Sequence, residues 1–389
     1  MKNIKLEKAL KETFNSAYFF TKYPELKNNK DTGNPVFPFV ENGYDSQTIV
    51  SETMRFFPVA ALTGGSFFMP SQAPIEQVES WLDLGLPIPD VQIYDNDDPQ
   101  DYTKKVNALA SKSLHLLHPF SNFSSEVCAV NPQLLLELNT KSSLPNLTEH
   151  TPKKKKATLQ EMLAMQPPFV VKKTTGSSGD GVKIIKRPSQ LSELESFLNG
   201  SEFFVEDYID YVHNHSLQFF VDSKGEIHYI GYGEQNTTEE GEYLGLVCML
   251  NKTPAKGLLN VGEKTCAEIA ARGYKGFVGL DILEDDEGKY HIIDPNIRCT
   301  AATPVYLLQE ILVPILSAYI YVGSGKMQAE NPSKVIENIK NAGGVMLSMS
   351  HGIHGQYKFF GMFGGSDCKE ALQNWQIFQQ QLKTENEIK

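Results

Sequence analysis

The feature that most constrains the fold is a set of apolar runs, between residues 169 and 296, that come in pairs separated by short turns. "FVVKK" and "GVKIIK" flank a glycine-rich loop. "SLQFFVDSKGEIHYIGYGEQ" turns at 223–225, and "GFVGLDILEDDEGKYHIIDPN" turns around 286–288. Apolar runs joined by short turns that contain Gly are typical of β-hairpins. Hairpins predominate over the intervening helical patterns, so this half is predicted to be α+β with antiparallel sheets.

Residues 1–125 have a different pattern, in which helical segments mix with short apolar runs such as "FFPVAAL" and "DVQIYD". Asp97 or Asp98 is the expected cap of a helix that follows. "TGGSFFMPSQAP" is interrupted by Gly and Pro and is predicted to be a loop. We expect an α/β domain here, without the GxGxxG motif of dinucleotide-binding proteins.

Three further segments carry secondary-structure predictions. "TPKKKKATLQEMLAM" is expected to form a helix that begins at Thr151 and Pro152. "VYLLQEILVPILSAYIYVG", residues 305–323, is expected to be a buried helix, because Gln309, Glu310 and Pro314 argue against a membrane span. The tail beyond 325 is expected to add a helix, a short sheet region and a final helix.

Composition excludes some classes of function. The formal net charge of −11 argues against a general nucleic-acid binder, which needs a basic surface. The run "KKKK" at 153–156 is predicted to be a solvated face or loop, with a phosphate-facing or targeting patch as the alternative. Five scattered cysteines without a CxxC pair indicate reduced thiols, and no signal-peptide pattern opens the chain. A cytoplasmic location is therefore expected.

The last hairpin carries a candidate metal site. If its strands pair symmetrically, with Leu283 opposite Tyr290, then Asp281 shares a sheet face with Asp294 and Asn296. Two carboxylates and an amide oxygen are suitable ligands for Mg²⁺. A slip of one residue in the register would separate them, leaving ordinary solvent-facing acids.

Arg298 follows on the same alternation. A guanidinium there would neutralise charge on a transferring phosphoryl group, or would pair with one of the aspartates.

The loop in "KKTTGSSGDGVKII" is either a phosphate-binding lid or an ordinary hairpin tip. Its glycines allow backbone N–H groups to face an anion, its serines add hydroxyl donors, and Lys172 lies on the preceding strand. The loop matches neither the P-loop nor a protein kinase. The candidate residues are Gly176, Ser177, Ser178, Gly179 and Gly181.

Five motifs in order resemble the ATP-grasp superfamily: "LNTKSSL", "PPFVVKKTTGSSGDGVKII", "FFVEDYID", "GFVGLDIL" and "IIDPNIRCTAATP". The resemblance covers roughly residues 125–325 and implies two α+β lobes that hold ATP between antiparallel sheets. It implies an N-terminal pre-ATP-grasp α/β domain over 1–125, nucleotide-binding lobes over 126–325, and a C-terminal extension, 326–389, that completes the second lobe.

The resemblance also implies roles for individual residues. Lys141 and Lys172 would bind ATP, with Lys173 as the competing choice. Glu206, Tyr208 and Ile209 would lie at the adenine. The ribose contact is assigned to His213, with Asn214 or His215 as alternatives. Asp281, Asp294 and Asn296 would hold Mg²⁺ or Mn²⁺, and Arg298 would be the catalytic cation together with Lys172.

The implied activity is that of a ligase, which activates a small-molecule carboxylate as an acyl phosphate for attack by an amine. An ATP-grasp phosphotransferase and a non-catalytic nucleotide-binding regulator are the alternatives. By the same resemblance, residues 231–247 would line the acceptor or substrate site, where Gln235 and Gly245 favour an amino-acid or peptide substrate. The alternative is a surface loop between strands. No nucleic acid or membrane partner is expected, and a homodimer is left open.

Overall fold

The computed structural model describes residues 4–23, 45–120, 122–174, 181–198 and 203–387. Its strands are β1 (Tyr18–Phe20), β2 (Ser66–Pro70), β3 (Val91–Tyr94), β4 (Leu114–Leu116), β5 (Lys154–Lys155), β6 (Phe169–Lys173), β7 (Val182–Ile185), β8 (Phe203–Asp207), β9 (Tyr211–Val221), β10 (Ile227–Thr237), β11 (Tyr243–Met249), β12 (Gly276–Asp285), β13 (Tyr290–Asn296), β14 (Tyr319–Gln328), β15 (Gly344–Met349) and β16 (Gln356–Gly365).

The α-helices are α1 (Ile4–Phe14), α2 (Ser46–Met54), α3 (Phe57–Thr63), α4 (Ile75–Asp83), α5 (Pro99–Asn107), α6 (Pro132–Asn139), α7 (Leu159–Leu163), α8 (Leu194–Leu198), α9 (Lys256–Ala271), α10 (Ala302–Leu307), α11 (Gln309–Leu316), α12 (Pro332–Asn341) and α13 (Cys368–Glu387). Short 3₁₀ helices span Lys141–Asn146 and Pro188–Glu193. Among the described residues, no helix is both long and apolar enough to cross a membrane.

The strands of the described residues form three sheets. A parallel sheet in the order β3-β2-β1-β4 belongs to the N-terminal region. A small antiparallel sheet has the order β5-β8-β6-β7, and a large antiparallel sheet has the order β13-β12-β9-β10-β11-β14-β16-β15. The predicted combination of an α/β region with antiparallel α+β sheets is therefore confirmed.

The N-terminal region and the large sheet share one apolar core. Phe14 of α1 stacks on Phe277 of β12, with ring centroids 5.4 Å apart, and Phe220 of β9 lies at the same distance from Phe14. Burial of aromatic side chains contributes about 1.5–3 kcal/mol each. This shared core fixes the N-terminal sheet against the large sheet, which positions the cavity described below.

Several local predictions agree with the structure. The glycine loop does connect two antiparallel strands, β6 and β7, and the turn after β9 lies at Asp222–Glu226. Asp98 caps α5 by accepting hydrogen bonds from the backbone of Gln100 and Asp101. The C-terminal tail has the predicted helix, sheet and helix, and its two strands extend the large sheet.

Two secondary-structure predictions for the first 165 residues were wrong. "TGGSFFMPSQAP" contains strand β2, because the buried Phe67 and Phe68 outweigh the flanking glycines and prolines. The helix expected from Thr151 begins at Leu159 instead, where Thr158 forms a capping box with Glu161.

The apolar segment 305–323 was also predicted wrongly. The chain there forms the end of α10, then α11 and the start of β14, instead of one buried helix. A backbone break occurs at Ser317, whose φ of 79° ends α11 and allows the chain to enter the large sheet.

Gly364 in β16 provides a test of the packing between α11 and the large sheet. A Cβ at this position would lie 1.5 Å from the carbonyl oxygen of Leu316 in α11. We expect Gly364→Ala to reduce the free energy of unfolding by about 3 kcal/mol, because backbone atoms must move to admit the methyl group.

The measurement is thermal and urea unfolding of the purified protein. Gly257→Ala, near the start of α9, is the control. A Cβ at Gly257 would contact only the side chain of Tyr290, at 3.1 Å. Equal stability of Gly364→Ala and Gly257→Ala would contradict this packing.

Candidate functional site

A cavity of about 220 Å³ lies between the small sheet, the large sheet and the N-terminal region. Aliphatic side chains from both antiparallel sheets line part of it: Val170, Ile184, Leu283 and Ile293. Charged side chains line the rest. A cavity with apolar walls and a few converging polar groups is the usual form of a small-molecule site.

Two lysines from neighbouring strands meet one buried glutamate at the wall formed by the small sheet. The Nζ atom of Lys172 on β6 lies 2.7 Å from Glu206 Oε2 on β8, and that of Lys154 on β5 lies 2.5 Å from Glu206 Oε1. The Glu206 side chain is only 2% exposed. The pairing register explains the cluster, because Glu206 is directly opposite Val170 on β6 and Lys154 on β5.

Burial and charge act in opposite directions on this cluster. Burial raises the pKa of Glu206, but the ammonium groups of Lys172 and Lys154 outweigh it, so its pKa lies below the ordinary value. Burial lowers the pKa of Lys154, which the carboxylate of Glu206 offsets only in part. The carboxylate thus keeps the lysines oriented in a site with little solvent.

The same lysines connect the small sheet to the acidic hairpin of the large sheet. Lys172 Nζ donates a hydrogen bond to the carbonyl oxygen of Ile293 on β13, at 2.9 Å. Lys141, which follows α6, forms a 2.9 Å ion pair with Asp294, and its own carbonyl oxygen accepts from Lys154 Nζ. Lys141, Lys154 and Lys172 therefore lie together, although 31 positions separate the first from the last.

The acidic hairpin does bring its polar residues together, but in a register different from the predicted one. Leu283 pairs with His291, not with Tyr290. A β-bulge between the pairs Ile282–Ile292 and Asp281–Asp294 then shifts the register, so that the two aspartates are directly opposite each other. The symmetric pairing assumed from the sequence omitted this bulge.

Asp281 is held by two amides. Gln235 donates to its Oδ1 at 2.5 Å, and Asn296 donates to its Oδ2 at 3.1 Å. Burial, followed by repulsion from Asp294, raises the pKa of Asp281 to about 7. Two converging, partly buried carboxylates beside an amide oxygen are a donor set that fits Mg²⁺, which would relieve the repulsion between them.

Arg298 lines the cavity beside this acidic group. Its Nη1 atom lies 3.4 Å from Asn139 Oδ1, a long contact, and no ion pair joins it to Asp281 or Asp294 within the described residues. The alternative in which Arg298 only neutralises an aspartate is therefore not the arrangement in this structure.

Of the residues predicted to contact the nucleotide, Lys141, Lys172, Glu206, Tyr208 and Ile209 line the cavity. Lys173 is not among the lining residues, and its Nζ lies 5.1 Å from the centre of the Phe197 ring. This difference follows from strand alternation, since neighbouring residues of β6 face opposite sides.

The residue assigned to the ribose, His213, does not line the cavity. Its Nδ1 is 2.8 Å from Glu234 Oε1, and His215 likewise pairs with Glu284 at 2.9 Å. Asn214 lies between them on β9 and does line the cavity. The alternation of β9 therefore favours Asn214 over either histidine.

The glycine loop is described only in part. Gly181 has a φ of +83°, the left-handed conformation expected for a turn glycine, and its carbonyl accepts from the backbone N–H of Lys173. The candidates Gly176, Ser177, Ser178 and Gly179 lie outside the described residues.

The sequence did not predict that Lys154 contacts Glu206. It also did not predict that Tyr23 and Arg55, two residues of the N-terminal region, line the cavity. The prediction of a solvated face was right for Lys155, which is exposed, but wrong for Lys154. A strand would alternate these two lysines, but no apolar periodicity identified the two-residue strand β5. Tyr23 and Arg55 had no signal, since only folding brings them to the cavity.

The segment predicted to line a substrate pocket does so in part. Gln235, Thr237, Gly241, Tyr243 and Leu246 face the cavity from β10, β11 and their connection. Gly245 is not among the lining residues.

Comparison with known proteins identifies the fold. Residues 150–296 match the sequence model of a family described as L-aspartate–L-methionine ligase, ATP grasp. N5-carboxyaminoimidazole synthetase from Staphylococcus aureus, solved with ADP, superposes with a TM-score of 0.61 at 11% identity, over 94% of this chain and 97% of that one. L-amino acid ligase from Bacillus licheniformis gives a TM-score of 0.52 at 13% identity, over 84% and 94%. Residues 150–296 thus resemble an ATP-grasp family, and the chain has the fold of these two solved structures.

Curated relatives match this chain over a smaller region than the solved structures do. The butirosin acyl-carrier protein–L-glutamate ligase of Niallia circulans is 28% identical over 158 residues, 37% of this chain and 35% of that protein. Biotin carboxylase 2 of Populus trichocarpa is 22% identical over 151 residues, 36% of this chain and 28% of that protein. The chain thus spans about a third of the length of these relatives.

The lysine–glutamate cluster leads to a prediction about Lys154. We expect Lys154→Met to lower the free energy of unfolding by about 3 kcal/mol, because Glu206 loses one of the two cations that compensate its burial. We also expect about tenfold weaker binding of ATP, since Lys172 and Lys141 lose their alignment.

Urea unfolding and equilibrium titration with ATP measure the two effects. Lys155→Met is the matched control, a neighbouring lysine whose side chain faces solvent. If both variants behave alike, Glu206 does not depend on Lys154.

Proposed function

We propose that this protein is an ATP- and Mg²⁺-dependent ligase that joins the carboxylate of one amino acid to the amine of another, releasing ADP and phosphate. The observation that carries the proposal is the convergence of Lys141, Lys172, Asp281, Asp294 and Arg298 on one cavity. One family model, one curated relative and one solved structure, whose descriptions name ligases of amino acids, support the choice of substrate class.

The nucleotide is proposed to bind between the two antiparallel sheets. The aliphatic wall made by Val170, Ile184 and Leu283 suits the adenine ring, and Tyr208–Ile209 suits recognition of its edge by backbone groups. Asn214 is the proposed ribose contact. Lys141 and Lys172 are proposed to bind phosphate oxygens.

In the first chemical step, a carboxylate oxygen of the substrate attacks the γ-phosphorus of ATP. An O–P bond forms as the bond from phosphorus to the bridging oxygen of ADP breaks. Lys172 and Arg298 are proposed to stabilise the negative charge on the phosphoryl oxygens during this step. A Mg²⁺ ion held by Asp281, Asp294 and Asn296 would supply further charge neutralisation.

In the second step, the amine nitrogen of the acceptor attacks the carbonyl carbon of the acyl phosphate. The C–N bond forms, the C–O bond to phosphate breaks, and the nitrogen loses a proton. Exclusion of water protects the acyl phosphate from hydrolysis, which is the proposed reason for placing the reaction in a narrow cavity.

The expected location is the cytoplasm, since free cysteines persist in a reducing compartment; the five cysteines form no disulfide. Three expectations remain predictions: the domain boundaries at residues 125 and 325, the formation of a homodimer, and the binding of Mn²⁺ in place of Mg²⁺.

Asp294→Asn tests the reaction class. The variant keeps the size of the side chain but loses the charge that faces Lys141 and Asp281, and we expect the rate of ADP release to fall at least about 100-fold. Asp286→Asn, in the exposed turn of the same hairpin, is the control and should retain full activity.

The assay screens the twenty amino acids in pairs for ADP release and adds hydroxylamine in place of the amine. A ligase yields a hydroxamate of the activated amino acid, whereas a phosphotransferase releases ADP without hydroxamate. ATP binding without substrate-stimulated ADP release would favour the regulatory alternative.

Lys172 and Lys173 provide a second test, because only the first lines the cavity. We expect Lys172→Met to weaken ATP binding by roughly 10- to 100-fold, the value of one charge-assisted hydrogen bond, and Lys173→Met to have little effect. Titration with a non-hydrolysable ATP analogue measures both. Equal weakening by the two substitutions would count against the proposed nucleotide position.

A further inference from the structure

Arg55 is a buried arginine of the N-terminal region that faces the same cavity as the acidic hairpin. Arg55 follows α2 and is only 8% exposed. It lines the cavity together with Tyr23, Tyr243 and Arg298. A buried guanidinium that faces a cavity is costly unless it is compensated, so its partners indicate what it is for.

The partners of Arg55 leave part of its guanidinium unused. Its Nη2 atom donates to the hydroxyl of Tyr23 at 2.5 Å and lies 2.7 Å from Glu52 Oε2. Within the described part of the chain, the hydrogen bond and the ion pair both run through Nη2, and the buried Nε–H has no hydrogen-bond partner. Because Nε is itself buried, the donors that remain for an anion in the cavity belong to the terminal nitrogens, since an arginine can donate five hydrogen bonds.

Aromatic rings hold this guanidinium in place. Its central carbon lies 4.9 Å from the ring centre of Phe360, 5.0 Å from that of Phe56 and 5.6 Å from that of Tyr23. Phe360 belongs to β16 of the large sheet, whereas Tyr23 follows β1 of the parallel sheet. Arg55 is therefore fixed between two parts of the fold before any ligand binds, which reduces the entropy lost on binding.

Arg55 and Arg298 lie around the same end of the cavity. Besides burial, the positive charges of both guanidiniums lower the pKa of His118, which follows β4. Tyr243, beside them in the cavity wall, is in electrostatic reach of Arg55 and of Asp281. Arg55 thus lies on the side of the cavity that is supplied by the N-terminal region.

We propose that Arg55 binds the α-carboxylate of the amine-donating amino acid and thereby keeps that carboxylate from being phosphorylated. The inference rests on the proposed function. Two amino-acid substrates each carry a carboxylate, and a ligase must activate only one of them. A fixed guanidinium that forms charge-assisted hydrogen bonds to the second carboxylate orients its amine toward the acyl phosphate. The ligand class is an α-amino acid with a free carboxylate.

The test compares each amine donor with its α-carboxamide, which keeps the amine but lacks the charge. With the activated amino acid and ATP saturating, we expect the wild-type KM for the free acid to be about 30-fold below that for the amide. In Arg55→Met this ratio should fall to within about threefold, with the KM for ATP little changed. Arg55→Lys, which keeps the charge without the planar donor arrangement, should give an intermediate ratio.

Arg272→Met is the control, because Arg272 is outside the cavity lining and pairs with Glu137 at the surface. It should retain the wild-type ratio. A wild type that accepts acid and amide equally overturns the inference even if Arg55→Met does not fold. An unchanged preference in a folded Arg55→Met does the same.

Binding measurements separate this inference from the proposed reaction. The twenty L-amino acids and their α-amides are titrated into the protein with Mg²⁺ and a non-hydrolysable ATP analogue. Absence of ADP release with every amino-acid pair sinks the proposed reaction. An acid-over-amide preference in binding that is lost in Arg55→Met still supports the anchor, and absence of that preference overturns it.

Discussion

The contact of Glu206 with two lysines is the interaction on which the rest of the site depends. A carboxylate that is 2% exposed is stable only if cations compensate its burial, and here they come from the strands on both sides of β8. Because Lys172 also reaches Ile293, and Lys154 reaches the backbone of Lys141, the small sheet is connected through these side chains to the acidic hairpin. The cluster thus fixes the distance between the two walls of the cavity.

The cavity wall formed by β12 and β13 contains two carboxylates that repel each other. Asp281 and Asp294 are cross-strand neighbours, and the structure offsets their charges with Lys141 and with the amide groups of Gln235 and Asn296. Without a bound cation this pair destabilises the folded protein, since burial and the like charge of Asp294 both raise the pKa of Asp281. A site that retains this cost is suited to a bound cation.

The N-terminal region packs against the large sheet and also supplies two residues of the cavity lining, Tyr23 and Arg55. Its aromatic core packs against β9 and β12, and this contact brings the ends of β1 and α2 to the cavity. The carboxyl ends of parallel strands are where ligands bind in open α/β sheets, and Tyr23 follows β1 at such an end. The antiparallel sheets supply the proposed nucleotide contacts, and the N-terminal region supplies Arg55, the proposed contact of the second substrate.

Local sequence patterns predict the hairpins, the alternation that places Lys172 and Lys173 on opposite faces, and the set of acids on β12 and β13. These follow from local rules: apolar runs, turn residues and the two-residue period of a strand. The sequence could not determine the bulge that places Asp294 opposite Asp281, the strand that buries Lys154, or the face of β9 that turns His213 away. Arg55 and Tyr23 reach the cavity only because two distant segments pack on one core. Tertiary packing decided these features, since each depends on which buried charges and rings meet across the chain, and no local pattern records such a meeting.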